Sequence, residues 1–160
     1  MSPAAKFFWM AVGVTLGHQV EIALGRSITV SGAAPRLGMA AVAVACLHVG
    51  PNAGAALGAL LGALETSYLA LFSGSLIVSR AVTGFAMGYL DEWLFRGRLA
   101  VAIAFGFLAV LVADSLFFLF APQPNAAAWW RTTVASAIYT GFAAALLHLA
   151  VQHLANKQRL

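Results

Sequence analysis

The feature that most constrains this chain is a series of glycines spaced four residues apart within an apolar stretch. The series consists of Gly54, Gly58 and Gly62, and the acid Glu65 follows three residues later. In a helix these positions lie on roughly one face, and the missing side chains let another backbone approach closely. An acid inside a membrane is costly unless it has a partner. The pattern therefore predicts a helix-packing surface in a bilayer rather than the active site of an enzyme.

The composition agrees with a membrane environment. Of the 160 residues, 62% are hydrophobic and only 9% are charged, whereas soluble domains carry about a quarter charged residues. A soluble domain of this length lacks the interior to bury so much apolar surface. The net charge of +4 comes from Lys and Arg scattered singly, which favours contact with lipid headgroups over nucleic acid. We expect Cys46, the one cysteine, to be a small buried residue without a disulfide.

Breaks in the apolar pattern predict one membrane domain, residues 1–160, built as an all-α integral membrane bundle of six transmembrane helices. The second span is short, which leaves a tilted or partly re-entrant helix as alternatives. The first span resembles a signal peptide but lacks a convincing cleavage site, so we interpret it as a true span. The predicted spans cover residues 7–24, 33–49, 53–72, 76–94, 99–120 and 129–154.

An even number of spans places both termini on the same side of the membrane. The distribution of Lys and Arg weakly favours a cytoplasmic location for them. Aromatic residues such as Trp93 and the pair Trp129 and Trp130 are predicted to anchor span ends at the interface. The cations expected inside are Lys6, Arg96, Arg98, Lys157 and Arg159, and those expected at or near the outer face are Arg26, Arg36, Arg80 and Arg131.

Three ionisable residues on different predicted spans lie at similar depth. Counting 1.5 Å per residue places Glu65, Arg80 and Asp114 roughly 12, 6 and 9 Å from the same side. We therefore predict a buried ionic cluster with Arg80 between the two acids. A structural role in fixing helix register is favoured over contact with an ion, proton or substrate, because the groups can neutralise one another.

The glycine pattern continues on the predicted fourth span with Gly84 and Gly88. Two interpretations of all five glycines stay open. They form a packing face inside the chain's own bundle, which is favoured, or they form an interface for the helix of a partner.

Residues that could carry chemistry are few. His18, Gln19 and Glu21 lie near the end of the first span, and His148 and His153 near the end of the sixth. Their spacing matches no metal-ligand motif, so we interpret them as interfacial polar residues. Hydrolase, metalloprotease and phosphate-loop signatures are missing from the sequence. We therefore predict no catalytic residue, no cofactor and no metal, and an intramembrane enzyme is a distant alternative.

The order of these features resembles the bacterial rod shape-determining protein MreD family. The resemblance runs from about Pro35 to Arg96 and includes the Pro35-Arg36-Leu37 start of the second span, the glycine series ending in an acid, the segment 73–75 and the ending Gly88-Tyr89-Leu90. Two differences stand out. Glu65 occupies a position where Asp is usual, and the gap to Ser73 is about one helical turn longer than expected. Either the third helix is extended or Glu65 is not the family's acid.

The resemblance implies a non-catalytic, multi-pass scaffold in the bacterial cytoplasmic (inner) membrane. Members of the family act in cell elongation with MreC, which has a single span. The synthase pair of RodA and a class B penicillin-binding protein, and the MreB cytoskeleton, are the further partners. The family is also similar in fold to the substrate-binding S-components of energy-coupling-factor vitamin transporters. An S-component-like subunit is therefore the alternative function, for which we expect a polar external pocket that the short loops do not obviously supply.

Overall fold

The computed structural model of the chain describes residues 2–24, 27–29, 32–67, 72–90 and 99–157, with side chains up to residue 153. These residues form six α-helices and no β-strand. Trp93 and the cations Arg26, Arg96, Arg98 and Arg159, to which we assigned places in the predicted topology, lie outside the described residues. The helices are α1 (Pro3–Leu24), α2 (Leu37–Cys46), α3 (Pro51–Thr66), α4 (Ser73–Leu90), α5 (Leu99–Phe120) and α6 (Ala126–Lys157).

The all-helical prediction is confirmed for the described residues, and three helices are long and apolar enough to cross a membrane. These are α1, α5 and residues Ala126–His153 of α6. The other three helices do not meet both conditions. With 10 residues α2 extends about 15 Å, and α3 has 16 residues. Helix α4 has 18 residues, but Arg80 and several hydroxyl side chains lower its hydropathy. Helix length and composition therefore do not establish six complete spans.

The short helix α2 lies at the centre of the fold. It contacts each of the other five helices, and eight of its ten residues are buried. Small residues such as Gly38, Ala40 and Ala43 allow this enclosure, because they bring neighbouring helices close to the axis. The helix is shorter at both ends than the predicted span 33–49. A helix enclosed by protein on every side does not need the length that lipid contact demands.

The helices α3 and α4 form the most intimate pair, and all five predicted glycines lie between them. A Cβ atom at any of these positions would come closer than 3.0 Å to an atom of the facing segment. We refer to this contact as the glycine seam. In the seam, Gly54 faces Gly84, Gly58 faces the carbonyl of Arg80, Gly62 faces Ile77, and Gly88 faces Pro51. The chain's own helices therefore occupy the glycine face, which leaves no room there for a partner's helix.

Several helix boundaries differ from the predicted ones for local reasons. Helix α1 begins at Pro3 because Ser2 accepts a hydrogen bond from the Ala5 N–H. Helix α6 begins at Ala126, where Asn125 caps the Ala128 N–H in the same way.

The end of the third helix also differs from the prediction. Helix α3 ends at Thr66 and not at 72, whereas residues 73–75, which we expected to break the third helix from the fourth, form the first turn of α4. The third helix thus continues for only one residue after Glu65. An extended third helix does not explain the long gap between Glu65 and Ser73.

Large apolar side chains cover the outside of the bundle. Phe8, Trp9, Phe142 and Leu146 are each at least 60% exposed. Exposed apolar area of this kind is rare in soluble monomers. The surface is thus compatible with a lipid environment around the three long helices.

A candidate functional site: a charged cavity

Asp114 is the centre of a buried hydrogen-bond network. Its carboxylate is 1% exposed, and its Oδ1 accepts hydrogen bonds from Arg36 Nη1 at 2.6 Å and from Arg80 Nη1 at 3.1 Å. The second oxygen, Oδ2, accepts from the Thr133 hydroxyl at 3.2 Å. Charge-assisted bonds of this kind are the stronger hydrogen bonds in proteins. One side chain thereby joins α4, α5, α6 and the residue that precedes α2.

Arg80 connects this centre to the third helix. Its Nε donates to Glu65 Oε2 at 3.0 Å, while the guanidinium also reaches Asp114. Arg80 is 3% exposed and therefore depends on these two acids for its neutralisation. The structure thus brings Glu65, Arg80 and Asp114 together, with the arginine between the carboxylates. The count of about 9 Å agrees for Asp114, six residues before the end of α5, but not for Glu65, which is the penultimate residue of α3 and does not lie two turns inside it.

Arg36 joins the network, which the sequence did not indicate. We expected it outside or near the outer face as a topology determinant, and the structure adds that its guanidinium pairs with Asp114 and that its side chain is 28% exposed. Its backbone N–H donates to the Thr140 hydroxyl at 2.9 Å, which fixes the start of α2 against α6. A count of the charges in the apolar segments could have indicated that Arg36 belongs to the network. Three acids in apolar segments, Glu21 among them, require more than the single cation Arg80.

The side chain of Glu21 also faces the interior of the bundle. Its Oε2 accepts a hydrogen bond from the Gly38 N–H at 3.0 Å, in the first turn of α2. Unpaired amides at a helix N-terminus favour a carboxylate. Among the described residues, no cationic side chain forms a salt bridge with Glu21. His18, one helical turn earlier, is buried beside it, and Gln19 is exposed on another face.

These charged residues surround a cavity of about 530 Å³. It opens where α1, α3 and α5 end and where α2, α4 and α6 begin, at the end of the bundle opposite the start of α1. We refer to it as the charged cavity. Its wall contains three carboxylates and two guanidiniums together with aromatic rings. The lining residues are His18, Glu21, Ile22, Arg36, Glu65, Phe72, Leu76, Arg80, Asp114, Phe117, Gln123 and Trp129.

The remaining candidate residues lie elsewhere. At the other end of the bundle, the rings of His48 and His148 stack with centroids 6.2 Å apart, and His148 Nε2 is 2.9 Å from the Gln152 amide. In the part of the chain that the structure describes, no three His, Cys, Asp or Glu residues are grouped so as to hold a metal ion. Cys46 is fully buried, with its Sγ 3.4 Å from the Gly84 carbonyl in the glycine seam.

Comparisons with known proteins found no matching family model, no matching curated protein and no matching solved structure. The resemblance to the MreD family thus rests on the sequence features quoted above.

Proposed function

We propose that this chain is a multi-pass scaffold of the bacterial cell-elongation complex, an MreD-like subunit of the inner membrane with cytoplasmic termini. In this role it binds an MreC-like single-span protein and, with RodA, a class B penicillin-binding protein and MreB, helps to direct side-wall peptidoglycan synthesis. It does so without catalysing a reaction. In this proposal all six helices lie in the membrane region, with α2 enclosed by the other five.

The observation that best supports the proposal is how the segments that carry the family resemblance pack on one another. The glycine series of α3 contacts α4, and Gly88, near the end of α4, contacts Pro51 at the start of α3. Arg36, at the start of the matching region, and Glu65, within it, meet in the network around Asp114. Residues that resemble one family in sequence order thus form one closely packed unit. Such a unit suits a protein whose task is to hold partners in place.

The packing also limits where a partner can bind. The glycine seam is filled by α4, so an MreC-like helix would contact the outer surfaces of the bundle. Helix α6 offers one exposed apolar face, with Val134, Ile138, Phe142 and Leu146 spaced four residues apart on one side.

The proposal is tested by depleting the protein in its native rod-shaped host and purifying a tagged copy from the same membranes. We expect depleted cells to become round, and the tagged protein to recover a partner with one transmembrane helix and a periplasmic coiled coil. As a control, expression of the Gly13→Ala variant in the depleted cells should restore the rod shape, because a Cβ atom at this position meets no atom within 4 Å. Normal rod shape after full depletion would contradict the proposal.

A second function is favoured by one specific observation, the charged cavity. An S-component-like subunit of a vitamin transporter needs an external polar pocket, and a volume of about 530 Å³ suits a small ligand. This alternative predicts a vitamin in small-molecule extracts of the purified protein and co-purification with an energising ATPase module. Recovery of either would replace the scaffold proposal, whereas recovery of an MreC-like protein would exclude the transporter role.

A further inference from the structure

The charge balance of the charged cavity points to a missing cation. Glu21, Glu65 and Asp114 contribute three carboxylates to its wall, whereas Arg36 and Arg80 contribute two guanidiniums. The difference is one negative charge when all five groups are ionised and His18, which also lines the cavity, is in its neutral form. Buried charges are costly unless they are neutralised. A ligand with one positive charge would complete the balance.

Glu21 is the carboxylate that such a ligand would meet. Asp114 already accepts from both arginines and from Thr133, and Glu65 accepts from Arg80. Glu21, by contrast, receives one backbone hydrogen bond from Gly38, and a carboxylate has about four acceptor positions. It therefore keeps acceptor capacity on the cavity wall for an N–H donor.

The rest of the wall suits an organic cation better than a metal ion. Phe72, Phe117 and Trp129 contribute aromatic rings, and Ile22 and Leu76 contribute aliphatic surface. Aromatic faces attract ammonium groups. The described residues contain no grouping of metal ligands. The volume of about 530 Å³ admits an amine with a short substituent or the headgroup of one lipid.

We propose that the charged cavity binds a protonated amine, with the Glu21 carboxylate as its ion-pair partner and the rings of Phe117 and Trp129 beside it. Two sources share this chemistry: the ethanolamine headgroup of a phospholipid and a soluble primary amine. The amine site does not depend on the scaffold role. Cell shape tests the scaffold role and the unfolding temperature tests amine binding, so either proposal can fail without the other.

Amine binding is tested by the unfolding temperature of the purified full-length protein. In the first arm, ethylammonium chloride is titrated into detergent-solubilised protein against sodium chloride of equal ionic strength. In the second arm, nanodiscs of phosphatidylethanolamine and phosphatidylglycerol are compared with nanodiscs of phosphatidylglycerol alone, which has no amine. We expect a saturable rise in unfolding temperature in at least one arm. A rise with ethylammonium identifies a soluble amine as sufficient, and a rise confined to the nanodiscs identifies the lipid headgroup.

Two substitutions on α1 make the test specific. Glu21→Gln keeps an acceptor for the Gly38 N–H but removes the charge, and we expect it to weaken the apparent affinity by about tenfold or more. Gln19→Ala, at an exposed position two residues away, should bind as the wild type does. If Glu21→Gln does not fold, Trp129→Leu replaces it, with an expected loss of about fivefold. No rise in either arm, or an equal rise in the cavity variants and the wild type, would overturn the proposal.

Discussion

The glycine seam and the Asp114 network hold the same helix, α4, by opposite means. In the seam, side chains are absent and the backbones of α3 and α4 touch, with Gly58 against the carbonyl of Arg80. In the network, long charged side chains bridge segments that stand further apart, and the guanidinium of the same Arg80 forms two of the three salt bridges among the described residues. Arg80 therefore belongs to both regions, through its backbone in one and its side chain in the other.

The difference between the two regions shows why one is closed and the other open. Close backbone contact leaves no space between α3 and α4, so the seam can act only in packing. Side chains that reach across a gap leave a cavity between them, and charged and aromatic groups line this cavity. The seam also joins helices that are neighbours in sequence, whereas the bond from Arg36 to Asp114 spans 78 residues. The network thus fixes α3, α4, α5, α6 and the start of α2 relative to one another.

The largest effect is expected from removal of the residue that the two regions share. Arg80→Ala leaves Glu65 without its cation and Asp114 with one fewer, and we expect a loss of about 3–5 kcal/mol in the free energy of unfolding. Denaturant titration in detergent measures it. Arg131→Ala, at an exposed position, is the control and should leave the midpoint unchanged. An unchanged midpoint for Arg80→Ala would refute a stabilising network.

A smaller loss in the free energy of unfolding is expected when only the glycine seam is changed. In Gly58→Ala the new methyl group collides with the Arg80 carbonyl, which is backbone and cannot rotate away. Overpacking of this kind costs about 1–3 kcal/mol, measured by the same denaturant titration. Alanine otherwise favours helices, by about 1 kcal/mol over glycine, and Gly13→Ala on open surface should show this gain. If both variants were stabilised alike, the close contact of α3 and α4 would not exist in solution.

The smallest of the three effects concerns a single hydrogen bond at the edge of the network. Thr133→Val keeps the shape of the side chain but removes the donor to Asp114 Oδ2, and we expect a loss of about 1–2 kcal/mol in the free energy of unfolding. The adjacent Thr132→Val provides a matched control, because Thr132 is exposed and its hydroxyl donates to carbonyls within α6. Equal stability of the two variants would remove Thr133 from the network.

Regular spacing made part of this arrangement predictable. Glycines four residues apart define one helix face without any knowledge of the partner, and the rise per residue places Glu65, Arg80 and Asp114 near one end of the bundle. The helical class can be read from the length of the apolar segments. The pattern does not identify the helix that fills the glycine face, and for this reason a partner's helix is an alternative that only the contact with α4 removes.

The features that the sequence did not reveal depend on distant contacts. Arg36 precedes a short apolar segment and has the sequence context of an outward-facing residue, but α2 is so deeply enclosed that its first turn lies beside Asp114. Glu21 lies near the end of α1, where polar residues commonly face lipid headgroups. It turns inward because the amide of Gly38 is close. The cavity forms because Arg36 and Glu21 both face the interior of the bundle. No local sequence motif therefore predicts it.

The central claim, that Arg80 joins the seam to the network as a neutralising partner, is tested most directly by a double-mutant cycle with Glu65. Arg80→Met, Glu65→Gln and the double variant are unfolded by denaturant in the same detergent. Removal of one partner strands the other, whereas removal of both does not. We predict that the double variant is more stable than the sum of the single losses implies, by about 1 kcal/mol or more. Additive losses, within about 0.5 kcal/mol, would contradict the claim.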